Sequence, residues 1–287
     1  MKIIVFGEII WDVYENERTI GGAPFNFAAN LGHLGDDAYL ISAVGEDELG
    51  KEAFAWLLRH RVKPDLVQTN RYDTGRCLVT LEGSGIPRYQ VLRDVAYDHI
   101  TADERLLEKV RMLRPEALYF GTLCQRGNSA EALKALLSSY PFREIFCDIN
   151  IREGCSDRET TQRCLENATL LKISEEEAHF IEDYGLVRLS DKPLEERLAE
   201  RYPGLKQIII TLGKRGSRVY ETASGRYYES GTPGRVEVIS TVGAGDCYGA
   251  SYLHAYMSGA SIPDAIAMAT ERSNVVVGSY FAVPFGT

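Results

Sequence analysis

The sequence predicts an α/β chain: a doubly wound, mostly parallel sheet flanked by helices, with a small β-sheet lid. Three observations carry this. Short apolar runs alternate with longer helical patterns along most of the chain, and strand–helix repetition of this kind builds doubly wound sheets. One region, 65–92, is strand-like without helices. Near the end, a glycine-rich turn precedes a carboxylate and a long helical pattern, and ligands in such sheets bind beyond the carboxyl ends of the strands.

In chain order, "KIIVFG" (2–7), "AYLISAVG" (38–45), "ALYFG" (117–121), "EIFCDI" (144–149), "TLLKI" (169–173) and "QIIITLG" (207–213) read as buried parallel strands. Residues 25–34, 48–61, 102–113, 128–139, 156–168 and 174–183 carry helical patterns between them. "DLVQTN" (65–70), "RCLVTLEGSG" (75–85) and "RYQVL" (88–92) are separated by turn signals. With "VYENERTIGG" (13–22) they are expected to form a small antiparallel sheet, the lid, projecting from a single domain that spans 1–287. "VEVIS" (236–240) reads as a last strand.

Composition excludes several classes. The chain has 287 residues, 45% hydrophobic and 25% charged, as globular chains do. A net charge of −9 disfavours duplex nucleic acid, which needs basic patches to displace counterions. No apolar run approaches the roughly 20 residues of a membrane span, and the N-terminus lacks a leader's cleavage site. The six cysteines, Cys77, Cys124, Cys147, Cys155, Cys164 and Cys247, form no C-x-x-C pair. They are expected to be reduced, mostly buried thiols of a cytoplasmic protein.

The stretch "ISTVGAGDCYGASYLHAYMSG" (239–259) raises the chemical question. Glycines let backbone approach a ligand, and a helix's first turn has N–H groups without intrahelical partners; together these make an anion site. A carboxylate there repels phosphate unless it accepts a proton from an attacking hydroxyl. The pattern alone leaves two readings open: a phosphoryl-transfer site, or a plain turn whose Asp246 complements the helix dipole. The run is neither a Walker P-loop nor a G-x-G-x-x-G.

"TVGAGDCYGASYLHAYMSG" closely resembles the C-terminal signature of the PfkB carbohydrate kinases, the ribokinase-like family. "GGAPFNFAANLGHLG" (21–35) resembles the N-terminal signature, and "FGEIIWD" (6–12), "DINIRE" (148–153), "KISEEE" (172–177) and "TLGKRGS" (211–217) follow in the family's order. The resemblance covers nearly the whole chain. It implies ATP-dependent phosphorylation of a hydroxyl, usually on a sugar. Asp246 would be the general base, and Gly243, Ala244 and Gly245 would offer N–H groups to the transferring phosphoryl.

The same resemblance gives Asp12 to the sugar hydroxyls and lets backbone at Gly21 and Gly22 close on the substrate. Asn26 either contacts the substrate or caps its helix. Thr211, Gly213 and Gly216 match the nucleotide turn, although "TLGKRGS" alone would be an ordinary hairpin. Asn274 either flanks the adenine or is a buried polar residue. Lys214 and Lys172 are expected to be solvated. Glu177 ends the N-x-x-E motif tied to Mg²⁺, with Ser174 where that motif, and hence the ATP contact, has Asn. Ser240 replaces the Asp that often helps hold a monovalent cation, so only a weak response to potassium is expected.

"GEIIWD", "GGAPFNFAANLGHLG", "YFGTLCQR" (119–126) and "DVAYDHI" (94–100) look most like the family's fructokinases. Arg152 would meet a phosphate or the sugar's far end, or form a surface ion pair. Tyr89 would cover the sugar or pack between strands. The expected partners are a sugar and ATP, with no nucleic acid or membrane; a homodimer through the lid edge is an open option. Two other functions stay open: a kinase for ribose, a keto-deoxy sugar acid or a nucleoside, and a sugar-binding regulator without turnover.

Overall fold

The computed structural model describes residues 1–81, 87–151, 156–230 and 236–284. Chain packing divides it into two compact units, Met1–Pro115 with Cys124–Pro141, and Glu116–Leu123 with Phe142–Thr287. Each is described by itself.

The first unit holds β1 (Lys2–Phe6), β2 (Ile10–Val13), β3 (Arg18–Gly21), α1 (Ala23–His33), β4 (Asp37–Gly45), α2 (Glu48–Arg59), β5 (Val67–Asn70), β6 (Gly75–Leu81), β7 (Pro87–Val91), α3 (Glu104–Leu113) and α4 (Gly127–Ser139). β1 pairs in parallel with β4, from Lys2 opposite Asp37 to Phe6 opposite Ile41. Ile3, Ile4, Val5 and Phe6 are all buried, which explains why this strand reads as a continuous apolar run instead of an alternating one.

The segment 65–70, expected in the lid, instead yields β5, which pairs in parallel with β4. The α2 crossover returns the chain to the same sheet, as a β-α-β connection does. The smaller sheet has the order β3-β2-β6-β7. β2 pairs with β3 and β6 with β7 antiparallel, but β2 and β6 run parallel. It is therefore not the wholly antiparallel sheet expected, because the chain passes through α1, β4, α2 and β5 between those strands. The sheet also begins at Ile10, three residues earlier than expected.

The second unit holds β8 (Ala117–Gly121), β9 (Glu144–Asp148), α5 (Arg158–Asn167), β10 (Leu170–Ser174), α6 (Glu175–Asp183), α7 (Leu194–Arg201), β11 (Gln207–Thr211), β12 (Ser217–Glu221), β13 (Arg226–Glu229), α8 (Ala244–Met257) and α9 (Ile262–Val277). β8, β9, β10 and β11 pair in parallel in that order, and β12 and β13 continue antiparallel. The α/β class, with mostly parallel strands flanked by helices and a smaller separate sheet, is as the sequence predicts.

The strand expected at 236–240 does not form. The N–H groups of Ile239 and Ser240 both donate to the Val277 carbonyl at the end of α9, so this backbone serves a helix terminus and not a sheet. Among the described residues no helix is long and apolar enough to cross a membrane. Five of the six cysteines are buried and in no disulfide; Cys155 lies outside the described residues.

Candidate active site

α8 carries the turn that the sequence singles out. Ten of its fourteen residues are buried, Gly245 in the first turn is exposed, and it packs against α9. Two tyrosine hydroxyls fasten it to the sheet: Tyr252 donates to Gln207 Oε1 at 2.8 Å, and Tyr248 lies 2.6 Å from Ser217 Oγ. Gly243 caps the helix at φ +80°, where glycine is at ease and an L side chain is not. A Cβ there would stand 2.6 Å from both Cβ and O of Ala282. Asp246 follows as the third helical residue and is 8% exposed. Of the three residues expected to offer N–H groups, Ala244 already donates to the Thr241 carbonyl at 3.3 Å.

Asp148, at the carboxyl end of β9, is the register partner of Lys172 on β10. Lys172 Nζ donates to Asp148 Oδ1 at 2.9 Å and Oδ2 at 2.8 Å, with the two residues 5% and 1% exposed. This overturns the solvated Lys172. Burial pulls its ammonium down, but Asp148, with Glu177 and Asp246, outweighs burial and holds it above the usual lysine value. Burial pushes Asp148 up, against the pull of Lys172, and the charge of Asp246 adds to the rise. Losing one partner of such a buried pair costs about 3–5 kcal/mol. Lys214, by contrast, is exposed as expected.

Ser174 and Glu177 form a capping box at the start of α6. Glu177 N–H donates to Ser174 Oγ at 3.2 Å, and Ser174 N–H donates to Glu177 Oε2 at 2.8 Å. Glu177 Oε1 accepts from the Ile151 N–H at 2.6 Å. Burial first, then the charge of Asp148, raises the Glu177 carboxyl above its ordinary value. Ser174 lies beside Thr211 in register, so both stand at the carboxyl ends of neighbouring strands. "TLGKRGS" is the tight connection between antiparallel β11 and β12, a hairpin, with Gly213 at φ +56° and Gly216 at φ +89°. Asn274 is half-buried on α9, where its carbonyl accepts from the Gly278 N–H.

In the first unit, Asp12 lies within β2 and not in a turn at the end of β1. It is half-buried, and its Oδ2 is 3.7 Å from where a Cβ on Gly21 would stand. Gly22 caps α1 at φ +102°, and a Cβ there would meet the Glu8 carbonyl at 2.8 Å. The cap reading of Asn26 is thereby excluded: Asn26 is the fourth residue of α1, buried, with its N–H donating to the Gly22 carbonyl at 2.9 Å. Tyr89, on β7, is 48% exposed and so is not packed between strands. Arg152 lies outside the described residues. Replacing Asp12 with Ala is expected to raise the sugar KM about 10- to 100-fold, the worth of a charged hydrogen bond, and to leave affinity for an ATP analogue unchanged. Separate titrations of sugar and nucleotide check this; equal losses would remove the sugar contact.

The reading of the sequence missed Asp148 and Lys172. A signal was present: a lysine inside a run read as a fully buried strand must find a partner. The partner lies 24 residues away, on an adjoining strand.

The carboxylates fit a particular mode of holding Mg²⁺. Both oxygens of Glu177 accept backbone N–H groups and both of Asp148 accept from Lys172. No cluster of three or more His, Cys, Asp or Glu able to hold a metal occurs among the described residues. Glu177 would be the residue here to hold Mg²⁺, an ion that needs few protein ligands when phosphates are present.

The pattern of the pfkB family carbohydrate kinases matches residues 2–283. The chain is 26% identical to a probable chloroplastic fructokinase of Arabidopsis thaliana, over 88% of this chain and 69% of that protein. It is 24% identical to a 5-dehydro-2-deoxygluconokinase of Geobacillus thermodenitrificans, over 98% and 88%. Among solved structures, an uncharacterized sugar kinase from Pyrococcus horikoshii in complex with ATP is similar with a TM-score of 0.81 and 23% identity, over 98% of this chain and 94% of that one. The chain belongs to the pfkB family of carbohydrate kinases, ATP-dependent sugar kinases of ribokinase-like fold.

Proposed function

We propose that the chain, acting as a single kinase domain, transfers the γ-phosphoryl of ATP to a hydroxyl of fructose. The observation that carries the transfer chemistry is the buried carboxylate of Asp246 in the first turn of α8, directly behind Gly243–Ala244–Gly245. Asp246 takes the proton of the attacking hydroxyl. That oxygen forms the new bond to phosphorus as the bond to the β-phosphate oxygen breaks and ADP leaves. N–H groups of the α8 N-terminus, with Gly243 and Gly245 giving close backbone approach, hold the charge of the transferring group. Glu177 would hold Mg²⁺, which would supply charge neutralisation of the phosphates.

Asp12 accepts from the sugar hydroxyls, while Gly21, Gly22 and Asn26 shape the backbone and polar wall toward the sugar. Tyr89 is assigned to cover the sugar, and Arg152 to meet a phosphate or the sugar's far end. Ser174, Thr211, Gly213, Gly216 and Asn274 are assigned to ATP. Because Ser174 already caps α6 with its hydroxyl, its contribution to nucleotide is through position more than through a free side chain.

Fructose is supported by the fructokinase names among relatives and by the "GEIIWD" and "GGAPFNFAANLGHLG" stretches. The 5-dehydro-2-deoxygluconokinase likeness favours a second reading, a keto-deoxy sugar acid. A coupled ADP-release assay with fructose, ribose, 2-keto-3-deoxygluconate, 5-dehydro-2-deoxygluconate and a nucleoside tests them together. Fructose is expected to give the highest kcat/KM. A higher value for a sugar acid would replace the first reading with the second, and ADP release with none would leave only a sugar-binding regulator.

With Ser240 in place of the usual Asp, turnover should require a divalent cation yet respond to potassium little more than to sodium at equal ionic strength. Ser240 Oγ already accepts from the Val242 N–H at 3.2 Å, which limits what it offers a cation. Strong activation specific to potassium would remove this expectation.

A further inference from the structure

We propose that Lys172 is a positioning residue of the transfer reaction, its ammonium held by Asp148 beneath the Gly243–Gly245 turn so that phosphoryl group and Asp246 can approach one another. The inference rests on the kinase reading above and adds a residue to it. Three observations support it.

The first is placement. Lys172 Nζ lies 3.4 Å from where a Cβ on Gly245 would stand, and its Cε 3.9 Å from the same point. Gly245 therefore lies against the ammonium. The second is orientation. Asp148 takes two of the three ammonium hydrogens through its two oxygens, which fixes the head group on an element independent of α8. Lys172 and Ser174 also share one face of β10 by strand alternation, and Ser174 caps the helix bearing Glu177.

The third is charge. Asp148, Glu177 and Asp246 are all carboxylates whose fields reach Lys172. A phosphoryl group brought to this turn meets negative charge on several sides, and the dipole of α8 offsets only part of it. A fixed cation at the floor of the turn offsets more, and it costs no reorganisation when the group arrives. A purely structural role would not call for an ion pair, since well-packed apolar residues hold a core as well or better.

The test compares the parent enzyme with the double variant Asp148→Asn/Lys172→Met, which removes both charges and keeps the volume. Unfolding temperature, kcat and the KM values for sugar and ATP are measured together. The double variant is expected to unfold near the parent temperature, keep its sugar KM within about threefold and lose about 100-fold or more in kcat, the signature of an interaction made in the transition state. A double variant turning over within about fivefold of the parent would overturn the proposal, since the pair would then be a spacer. Should it be unfolded at the assay temperature, parent and double variant are compared at a lower temperature at which the variant folds, and the same thresholds hold. A parent that phosphorylates no sugar would bring down the kinase reading and this inference with it; an active parent beside an active double variant overturns the inference alone.

Discussion

Replacing Asp246 with Asn should lower kcat by about 10²- to 10⁴-fold, the usual worth of a general base, while leaving the unfolding temperature and ATP affinity near those of the parent. Asn keeps the shape and a hydrogen-bonding oxygen but cannot take the hydroxyl proton. The charge of Asp246 repels Asp148 and attracts Lys172, so removing it should give offsetting effects on folding and a small net change. Rate and thermal unfolding measured on the same preparation separate the two effects. A variant within about tenfold of the parent rate would show that Asp246 is not the base.

Gly243→Ala should be the most damaging of the glycine changes in this turn. Two penalties combine. The φ of +80° costs an L residue about 1–2 kcal/mol, and the added methyl would stand 2.6 Å from Cβ and O of Ala282, which no real Cβ tolerates. The turn must shift, and Asp246, three residues on, shifts with it. A displacement near 1 Å in a positioned catalytic group costs about 10²-fold, so kcat should fall by that order together with a lowered unfolding temperature. Gly259→Ala is the control. It also has positive φ, +91°, but a Cβ there meets nothing within 4 Å. It should show the small backbone cost without the clash. Equal losses in both variants would show that contact with Ala282 is not what makes Gly243 necessary.

Much of the architecture was legible because burial on two faces leaves a simple mark. "KIIVF", "ALYFG" and "QIIIT" are continuous apolar runs, and each became a parallel strand. The start of α8 was equally legible, since Gly243 before a helical pattern is a local requirement of backbone geometry. "SEEE" carried a local signal too, the capping box of Ser174 and Glu177, which a reading for metal alone passed over.

What failed depended on partners distant in sequence. "VEVIS" has the composition of a strand, but its backbone is taken by the Val277 carbonyl of α9. "DLVQTN" has the same look, and only the α2 crossover decides that it pairs with β4 and not with β6. By itself, then, the sequence determined the α/β class, the apolar strands and the glycine turn before Asp246, which rest on local periodicity and steric limits, while the family's chemistry came from the resemblance of its motifs. The tertiary structure decided which edges pair, that Asn26 is not a helix cap, and that Lys172 is buried against Asp148. A lysine inside a buried strand signals that some partner must exist, but not which carboxylate the neighbouring strand brings to 2.8 Å.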